Sequence, residues 1–205
     1  MPEPTISLAA PFSPLVPGGV VPGDWYPGQI PGNIQVGQGC AIDSSFCFKH
    51  YFATGECGLQ VGEGVTFWRT SLAVEKAGKI IIGDHCYVSS ASLVCAELIV
   101  IGDRVLVSGG VTIADSDFHP IAPVQRLADT IALSPIGDRN HRPRVESRPV
   151  FIEDDVWIGV NATILKGVRI GAGSVIEPGA VVTHNVPARV RVAGNPARLV
   201  GEVLP

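Results

Sequence analysis

The amino-acid sequence predicts an all-β fold: a parallel β-helix of hexapeptide repeats with one long excursion loop. Three observations carry this prediction. Aliphatic residues recur at every sixth position from Ile152 to Val182, short period-two alternation occurs within each hexad, and glycines permit sharp turns between hexads. Three such short strands close a triangular coil after about eighteen residues, so equivalent side chains stack in ladders inside a narrow prism. An amphipathic helix would instead space its apolar residues by three and four.

The most regular hexads lie in the C-terminal part of the chain. The residues expected to point into the prism there are Ile152, Ile158, Ile164, Ile170, Ile176 and Val182. A second series occurs two positions earlier and comprises Val156, Ala162, Val168, Ser174 and Ala180. The abundance of Val, Ile and Gly over this stretch also argues against helix.

The same spacing occurs upstream with interruptions. The inward series expected there are Val36, Ile42 and Phe48; Val61 and Phe67; Ile82, Val88 and Val94; and Ile101, Val107 and Ile113. The segment "KHYFATGECGLQ" is expected to be a loop, and a one-residue insertion before the last series to be absorbed as a bulge. We therefore assign residues 34–205 to the β-helix domain. The Pro/Gly-rich residues 1–33 are expected to form an extended arm that covers the open end of the prism.

Residues 115–149 contain no hexad and are rich in charges and prolines. This segment is expected to leave the prism as a structureless loop. Loops of more than about a dozen residues within compact domains are usually functional, so the loop predicts the position of a site. It opens with "DSDFHP", which contains His119.

The charge, hydrophobicity and cysteine content of the chain argue against several functional classes. The chain has 205 residues and a formal net charge of -4 without a basic run, which argues against nucleic-acid binding. No apolar segment is long enough to span a bilayer, and the proline-broken N-terminus does not read as a signal peptide, so a cytoplasmic location is expected. The five cysteines form no CxxC pair, which indicates neither a disulfide framework nor a zinc ribbon.

The coil pattern, "DSDFHP", "VWIG" and "VVTHNVP...VAGNPAR" together resemble the hexapeptide-repeat acyltransferases. The resemblance covers about residues 34–200 and is strongest to the maltose and galactoside O-acetyltransferase branch and to acetyltransferases of polysaccharide biosynthesis. It implies a left-handed β-helix, an exception to the right-handed crossover rule, and a homotrimer with active sites between neighbouring prisms. It further implies acetyl-CoA as acyl donor and a hydroxyl, or less often an amine, of a small sugar-like molecule as acceptor.

His119 matches the catalytic base of that family. Acyl transfer from a thioester needs a group that removes the acceptor's proton, and a neutral imidazole suits this task near neutral pH. Asp115 or Asp117 lies close enough in sequence to accept a hydrogen bond from the other ring nitrogen and fix the tautomer. A solvated loop histidine and two turn-capping aspartates are the alternative interpretation.

The remaining motifs imply the donor site. Trp157 precedes the inward Ile158, points out of the prism and corresponds to the wall of the active site. The small residues Gly159, Ala162 and Ala180 are expected to give the pantetheine arm access to the backbone. At the nucleotide end, the resemblance implies that Thr183 and the next residue contact the coenzyme. The family usually has a lysine at this next position, where this chain has His184. Arg198 is therefore expected to supply the lost positive charge.

The acceptor site is less defined by sequence. Ser89 and Glu97 correspond loosely to acceptor contacts in sugar acetyltransferases, Asp117 lies beside the base, and Arg126 follows it in the loop. Two alternatives to an acyltransferase remain: a non-catalytic trimeric β-helix scaffold, and a zinc enzyme of the gamma carbonic anhydrase type. The second needs three histidine ligands, whereas the five histidines here are dispersed, so no metal is expected.

Overall fold

A computed structural model describes residues 12–204 of the chain. Its β-strands form three sheets, which we call A, B and C. Sheet A contains β1 (Ser13–Pro14), β3 (Ala41–Ile42), β5 (Thr66–Trp68), β8 (Tyr87–Ser89), β11 (Leu106–Val107), β14 (Trp157–Ile158), β17 (Val175–Ile176), β19 (Val190–Ala193) and β20 (Arg198–Glu202). Sheet B contains β2 (Ile34–Val36), β4 (Leu59–Val61), β7 (Lys79–Ile82), β10 (Leu98–Ile101), β13 (Val150–Ile152) and β16 (Arg169–Ile170). Sheet C contains β6 (Ser71–Val74), β9 (Ser92–Cys95), β12 (Thr112–Ala114), β15 (Thr163–Ile164) and β18 (Val181–Val182).

The chain visits the sheets in the order B, A, C and returns to B one level further along, which is the path of a parallel β-helix. Successive levels pair in parallel and in register: Ile113 of β12 lies between Leu93 of β9 and Ile164 of β15. In sheet A, Ile158 lies between Val107 and Ile176 in the same way. The predicted all-β coil of hexapeptide repeats is confirmed.

The core fills the prism along its length. Both predicted C-terminal series are buried: Ile152, Ile158, Ile164, Ile170, Ile176, Val182, Val156, Ala162, Val168, Ser174 and Ala180. Burial of so many aliphatic side chains, each contributing about 1.5–3 kcal/mol, stabilises a fold with almost no helix.

One predicted core position, Val94, is wrong. In β9 the buried residues are Leu93 and Cys95, and Val94 points outward. The irregular spacing therefore begins at the corner before β9 and not after it. Because side chains alternate along a strand, a shift of one residue exchanges the inward and outward faces.

Both ends of sheet A carry an antiparallel strand. At one end β1 pairs with β3, with Ser13 opposite Ile42. Leu15, Val21 and Ile30 from the same N-terminal segment are buried in the hydrophobic core. Residues 1–11 of the expected arm lie outside the described residues. At the other end β20 runs antiparallel to β19.

The excursion between β12 and β13 is not structureless, contrary to the prediction. It contains the helix α1 (Pro123–Leu133) and a short 3-10 helix (Arg139–His141), and a second 3-10 helix (Ser45–Phe48) lies in the first coil. Pro123 at the first turn fits a helix start because its ring presets φ and an N–H is not needed there. Within residues 12–204, no helix has both the length and the hydrophobicity needed to cross a membrane.

The sequence did not predict α1, because the buried face of this helix is not an apolar stripe. The buried residues of the helix are Asp129 and Ala132, whereas Val124, Leu127 and Ile131 are exposed. A search for apolar periodicity therefore finds the wrong face of this helix. The charged residue on the buried face, Asp129, belongs to the candidate site.

Candidate active site

His119 stands where the chain leaves the prism after β12. The preceding residue, Phe118, has a φ of 63°, in the left-handed region, and the backbone N–H of His119 donates to the carbonyl of Asp117 at 2.6 Å. This tight turn directs the imidazole out of the coil, and the side chain remains 56% exposed.

The His119 ring is oriented by a carboxylate from α1. Its Nδ1 lies 2.7 Å from Oδ2 of Asp129, whose side chain is fully buried. An ionised carboxylate accepts a hydrogen bond, so Nδ1 carries the proton and Nε2 keeps its lone pair. Nε2 has no hydrogen-bond partner among the described residues. This is the arrangement of a base whose tautomer is fixed by an acid behind it.

The two aspartates expected to orient His119 bind other groups in the structure. Asp115 is fully buried and accepts the backbone N–H groups of Ala96, Glu97 and Leu98 at 2.7–2.8 Å, which closes the turn between β9 and β10. Asp117 pairs with Nζ of Lys166 at 2.6 Å, so its side chain anchors the excursion to the prism. The prediction that Asp115 or Asp117 fixes the tautomer is wrong, because both carboxylates are already satisfied by other donors.

Arg142 joins the Asp129 carboxylate to the prism. Its Nε donates to Oδ1 of Asp129 at 2.7 Å, Nη1 donates to Oε1 of Glu75 at 2.5 Å, and Nη2 donates to the carbonyl of Phe118 at 3.2 Å. Burial opposes ionisation of Asp129, but the hydrogen bonds from Arg142 and then His119 outweigh it and lower the pKa of this carboxyl below 3.8. Asp129 is therefore charged at neutral pH.

Sequence reasoning missed Asp129, Arg142 and Glu75. Asp129 and Arg142 lie within the excursion, 10 and 23 residues after His119, and Glu75 is 44 residues before it. No motif links such distant positions. The available signal was an acidic residue among the apolar residues of "RLADTIAL", which becomes informative only once that segment is known to be helical.

His119 opens into a cleft between the excursion and sheet C. The cleft consists of two adjoining cavities of about 570 and 490 Å³, the first of which contains His119. Outward residues of the coils, Ala73, Val94 and Ala96, line its prism side, and Phe52 and Val145 contribute apolar wall. The side chain of Val94, predicted to be in the core, is therefore part of the candidate site.

The expected acceptor residues separate in the structure. Glu97 lines the smaller cavity, where it accepts a hydrogen bond from Ser147 Oγ at 2.8 Å. Ser89 lies on sheet A, and Arg126 lies exposed on α1 and donates to the carbonyl of Ile121 at 3.1 Å. Among the described residues, Glu97 is thus the one expected acceptor residue that lines the cleft, in the cavity next to that of His119.

The expected pantetheine contacts are also divided. Trp157 is on the outer face of sheet A, 45% exposed, with its indole N–H donating to Ser108 Oγ at 3.2 Å. Gly159 is buried, and a β-carbon there would lie 2.7 Å from the backbone nitrogen of Pro178, so its small size serves coil stacking. Ala162 and Ala180 are fully buried, and their backbone groups hydrogen-bond within the coils. The structure leaves these two alanines no exposed surface.

The expected nucleotide contacts come together at the C-terminal end. His184 and Arg198 line one shallow cavity of about 340 Å³, and Thr183 Oγ1 lies 2.7 Å from His184 Nδ1. Arg198 donates to the neighbouring carbonyl of Ala197 at 2.8 Å and has no carboxylate partner within residues 12–204. Its positive charge is therefore available to a ligand.

Neither a metal centre nor a buried thiol supplies an alternative site. Among residues 12–204 there is no group of three or more His, Cys, Asp or Glu side chains arranged to hold a metal ion. Cys40, Cys47, Cys86 and Cys95 are buried, and burial raises the pKa of the Cys86 thiol to about 11. Cys95 lies behind the cleft, where burial and the neighbouring Asp115 also raise the pKa of its thiol.

Comparison with known proteins agrees with this fold. Residues 149–184 match the family described as bacterial transferase hexapeptide (six repeats). A 52-residue segment is 58% identical to 2,3,4,5-tetrahydropyridine-2,6-dicarboxylate N-acetyltransferase of Staphylococcus aureus, over 25% of this chain and 22% of the relative. The match thus spans about a fifth of that protein.

Solved structures match over a larger part of the chain. A hexapeptide-repeat acetyltransferase of Vibrio cholerae in complex with acetyl coenzyme A is 29% identical, with a TM-score of 0.51 over 69% of this chain and 72% of that one. A galactoside acetyltransferase in complex with coenzyme A is 26% identical, with a TM-score of 0.54 over 83% of this chain and 65% of that one. The predicted resemblance to hexapeptide-repeat acyltransferases is confirmed, and the fold is a left-handed β-helix.

Proposed function

We propose that this protein is a coenzyme A-dependent acyltransferase that moves an acetyl or similar acyl group to a hydroxyl of a small sugar-like acceptor. The observation that carries the proposal is the His119–Asp129 pair, in which His119 has a free Nε2 and lines the larger cavity of the cleft, of about 570 Å³. The acetyl-CoA and coenzyme A complexes of the two structural relatives support the donor. Because the curated relative is an N-acetyltransferase, an amine acceptor is tested alongside the hydroxyl.

The chemistry follows from the free lone pair of His119. Nε2 takes the proton of the acceptor hydroxyl as its oxygen bonds to the acyl carbon, the carbon–sulfur bond breaks, and the proton passes to the departing thiolate. The buried Asp129 carboxylate stabilises the imidazolium that forms in between. The reaction is direct, without an acyl-enzyme, because among the described residues Nε2 of His119 has no Ser or Cys side chain as a partner, and Cys95 behind the cleft is buried with the pKa of its thiol raised.

We propose a homotrimer, the assembly that the resemblance implies, and two exposed apolar surfaces of one chain that are suited to each other on neighbouring chains support it. The outward residues Tyr87, Leu106 and Trp157 stack in register on sheet A. The exposed side of α1 presents the apolar residues Val124, Leu127 and Ile131. Contact between unlike surfaces closes into a ring when the rotation allows, and it would bring His119 of one prism towards Trp157 of the next.

The donor's nucleotide end is proposed to lie near Arg198, His184 and Thr183. A guanidinium without a carboxylate partner is a good phosphate ligand, and His184 lines the same cavity. Trp157 remains a proposed contact of the pantetheine arm. Ala162 and Ala180 are not included, because both are fully buried.

The test combines coenzyme A binding by calorimetry with a screen of hydroxyl and amine acceptors by thiol release. His119→Ala is expected to lower turnover by about two to four orders of magnitude while coenzyme A binds with nearly unchanged affinity. The matched control is His141→Ala in the same excursion, since that ring is 81% exposed and lies 3.7 Å from Asp138. Near-normal turnover of His119→Ala would exclude His119 as the base, whereas failure of the wild type to bind coenzyme A would favour the scaffold interpretation.

A further inference from the structure

We infer that the acceptor carries an anionic group, a carboxylate or a phosphate monoester, and that Arg139 and Arg144 bind it beside His119. The inference rests on the proposed function and narrows its acceptor to a charged class. It comes from the charges that line the cleft and from which of them are already paired.

The cleft is basic although the chain as a whole is acidic. The formal net charge of the chain is -4, yet the smaller cavity is lined by Lys76, Arg139, Arg142 and Arg144 against Glu75 and Glu97. Four positive groups therefore face two negative ones. A concave basic surface on an acidic protein attracts anions, since cleft geometry concentrates the local potential.

Two of the four cationic side chains, Arg142 and Lys76, already have polar partners within the protein. All three nitrogens of the Arg142 guanidinium donate to Asp129, Glu75 or the Phe118 carbonyl. Lys76 Nζ contacts Oδ1 of Asn140. Both groups hold the excursion in place. Arg142 has little donor capacity left for a ligand, whereas Lys76 keeps free N–H bonds and its charge adds to the positive potential of the cleft.

Arg139 is fixed in place but keeps free donors. Its guanidinium lies over the Phe52 ring at 4.3 Å, and Nη2 donates to Glu75 Oε1 at 3.0 Å. Nε and Nη1 have no acceptor among residues 12–204. Stacking and a single ion pair thus orient a planar group whose remaining N–H bonds suit a bidentate oxyanion.

Arg144 supplies a second cation on the same wall. Within residues 12–204 its side chain makes neither a hydrogen bond nor an ion pair, and it lines the same cavity as Arg139. An unpaired arginine beside an oriented one is a suitable pair of ligands for a carboxylate or phosphate.

The position of Arg139 links this anion subsite to the proposed chemistry. Arg139 lines both cavities, whereas His119 lines the larger and Arg144 the smaller. An acceptor whose anionic group binds between the two arginines therefore extends its remaining part towards Nε2 of His119. Cavities of this size accommodate a monosaccharide derivative.

The experiment uses three compounds that share ring hydroxyls: glucose, glucose 6-phosphate and glucuronate. Their binding to the coenzyme A-saturated protein is measured by calorimetry, and their turnover by thiol release from acetyl-CoA. We expect at least one anionic compound to bind about tenfold or more tightly than glucose. Arg139→Gln and Arg144→Gln should each remove most of that preference without changing the affinity for coenzyme A.

Arg169→Gln is the matched control. Arg169 also stacks on a phenylalanine, Phe151 at 4.6 Å, and pairs with a glutamate, Glu153 at 3.0 Å, but it lies on sheet B outside the cleft. This variant should retain the anion preference. Preference for phosphate over carboxylate, or the reverse, identifies which of the two groups the subsite recognises.

Equal binding of glucose and both anions overturns the inference, even if acetyl transfer is observed. Weakened coenzyme A binding in Arg144→Gln also overturns it, because the cluster would then bind donor phosphates. Anion-selective binding without thiol release from any compound, together with loss of selectivity in the two variants, supports the anion subsite and counts against the proposed transferase. Failure of the anion subsite and failure of the proposed acyltransferase activity are therefore distinguishable.

Discussion

Asp129→Asn is expected to abolish most activity by reversing the tautomer of His119. Arg142 Nε donates to Oδ1 of Asp129 at 2.7 Å, and the guanidinium can only donate. Nη2 of Arg142 also reaches Oδ2, but at 3.4 Å, so an asparagine keeps its carbonyl oxygen at the Oδ1 position, where the Arg142 donor is closer. Its amide NH₂ then occupies the place of Oδ2, 2.7 Å from Nδ1 of His119.

The consequence for His119 follows from hydrogen-bond polarity. An amide NH₂ donates, so Nδ1 must accept and the ring proton moves to Nε2. The lone pair that takes the acceptor's proton is lost while the geometry is retained. We expect turnover to fall by about 100- to 10,000-fold, which corresponds to about 2.7–5.4 kcal/mol in the activation barrier.

Initial rates of thiol release at saturating acetyl-CoA measure this effect, with coenzyme A affinity measured separately by calorimetry. Asp138→Asn is the matched control, because it makes the same chemical change beside the exposed His141 and should leave turnover unchanged. Thermal melting and circular dichroism check that the variant is folded, since Asp129 is fully buried and paired with Arg142.

A double variant tests the coupling directly. If Asp129 acts only through His119, adding Asp129→Asn to His119→Ala should cause little further loss of turnover. Independent, multiplying losses would show that Asp129 acts elsewhere. Retention of turnover within about threefold by Asp129→Asn alone would refute the tautomer argument.

Three further predictions concern the core, the donor site and pH. Ile164→Ala should lower the free energy of unfolding by about 2–5 kcal/mol in denaturant titration because its side chain is fully buried, whereas Val94→Ala, which faces the cleft, should cost less. Arg198→Ala should weaken coenzyme A binding by about 10- to 150-fold in calorimetry, equivalent to about 1.5–3 kcal/mol, with unchanged melting; unaltered affinity would remove Arg198 from the donor site. The stability contributed by Asp129, whose folded pKa is lowered, should be fully present above pH 3.8 and disappear as the pH falls through that lower pKa. Melting curves of the wild type and of Asp129→Asn from pH 3 to 8 measure this contribution, and a difference between the two proteins that already vanishes well above pH 3.8 would contradict the assignment.

The prism was predictable because its signal is local. Each inward residue from Ile152 to Val182 is specified by spacing within its own hexad, and all of these positions are buried. Val94 was misplaced because its coil departs from the six-residue period, and neighbouring coils fix the register there, with Leu93 pairing with Leu72 and Ile113. Spacing along one segment contains no information about that cross-coil pairing.

The site was predictable only in part, because its partners come from distant segments. His119 was identified through the "DSDFHP" motif, whereas Asp129 reaches it through a helix whose exposed side is the apolar one. Asp115 and Asp117 were the nearest carboxylates in sequence, but backbone N–H groups and Lys166 occupy them. Proximity along the chain is a poor guide where a long excursion folds back on the prism.

Within the described residues, the antiparallel strands β1 and β20 form the two outer edges of sheet A. A stack of parallel coils has no intrinsic terminus, since each level offers the next the same row of backbone donors and acceptors. In sheet A both outermost strands reverse direction, so the pattern presented to solvent at each end differs from that between coils. In sheet A, addition of a further parallel coil at either end is thereby disfavoured. Whole turns inserted or deleted between these two strands would change the reach of the prism without altering either terminus, which makes length an independently adjustable property of such a chain.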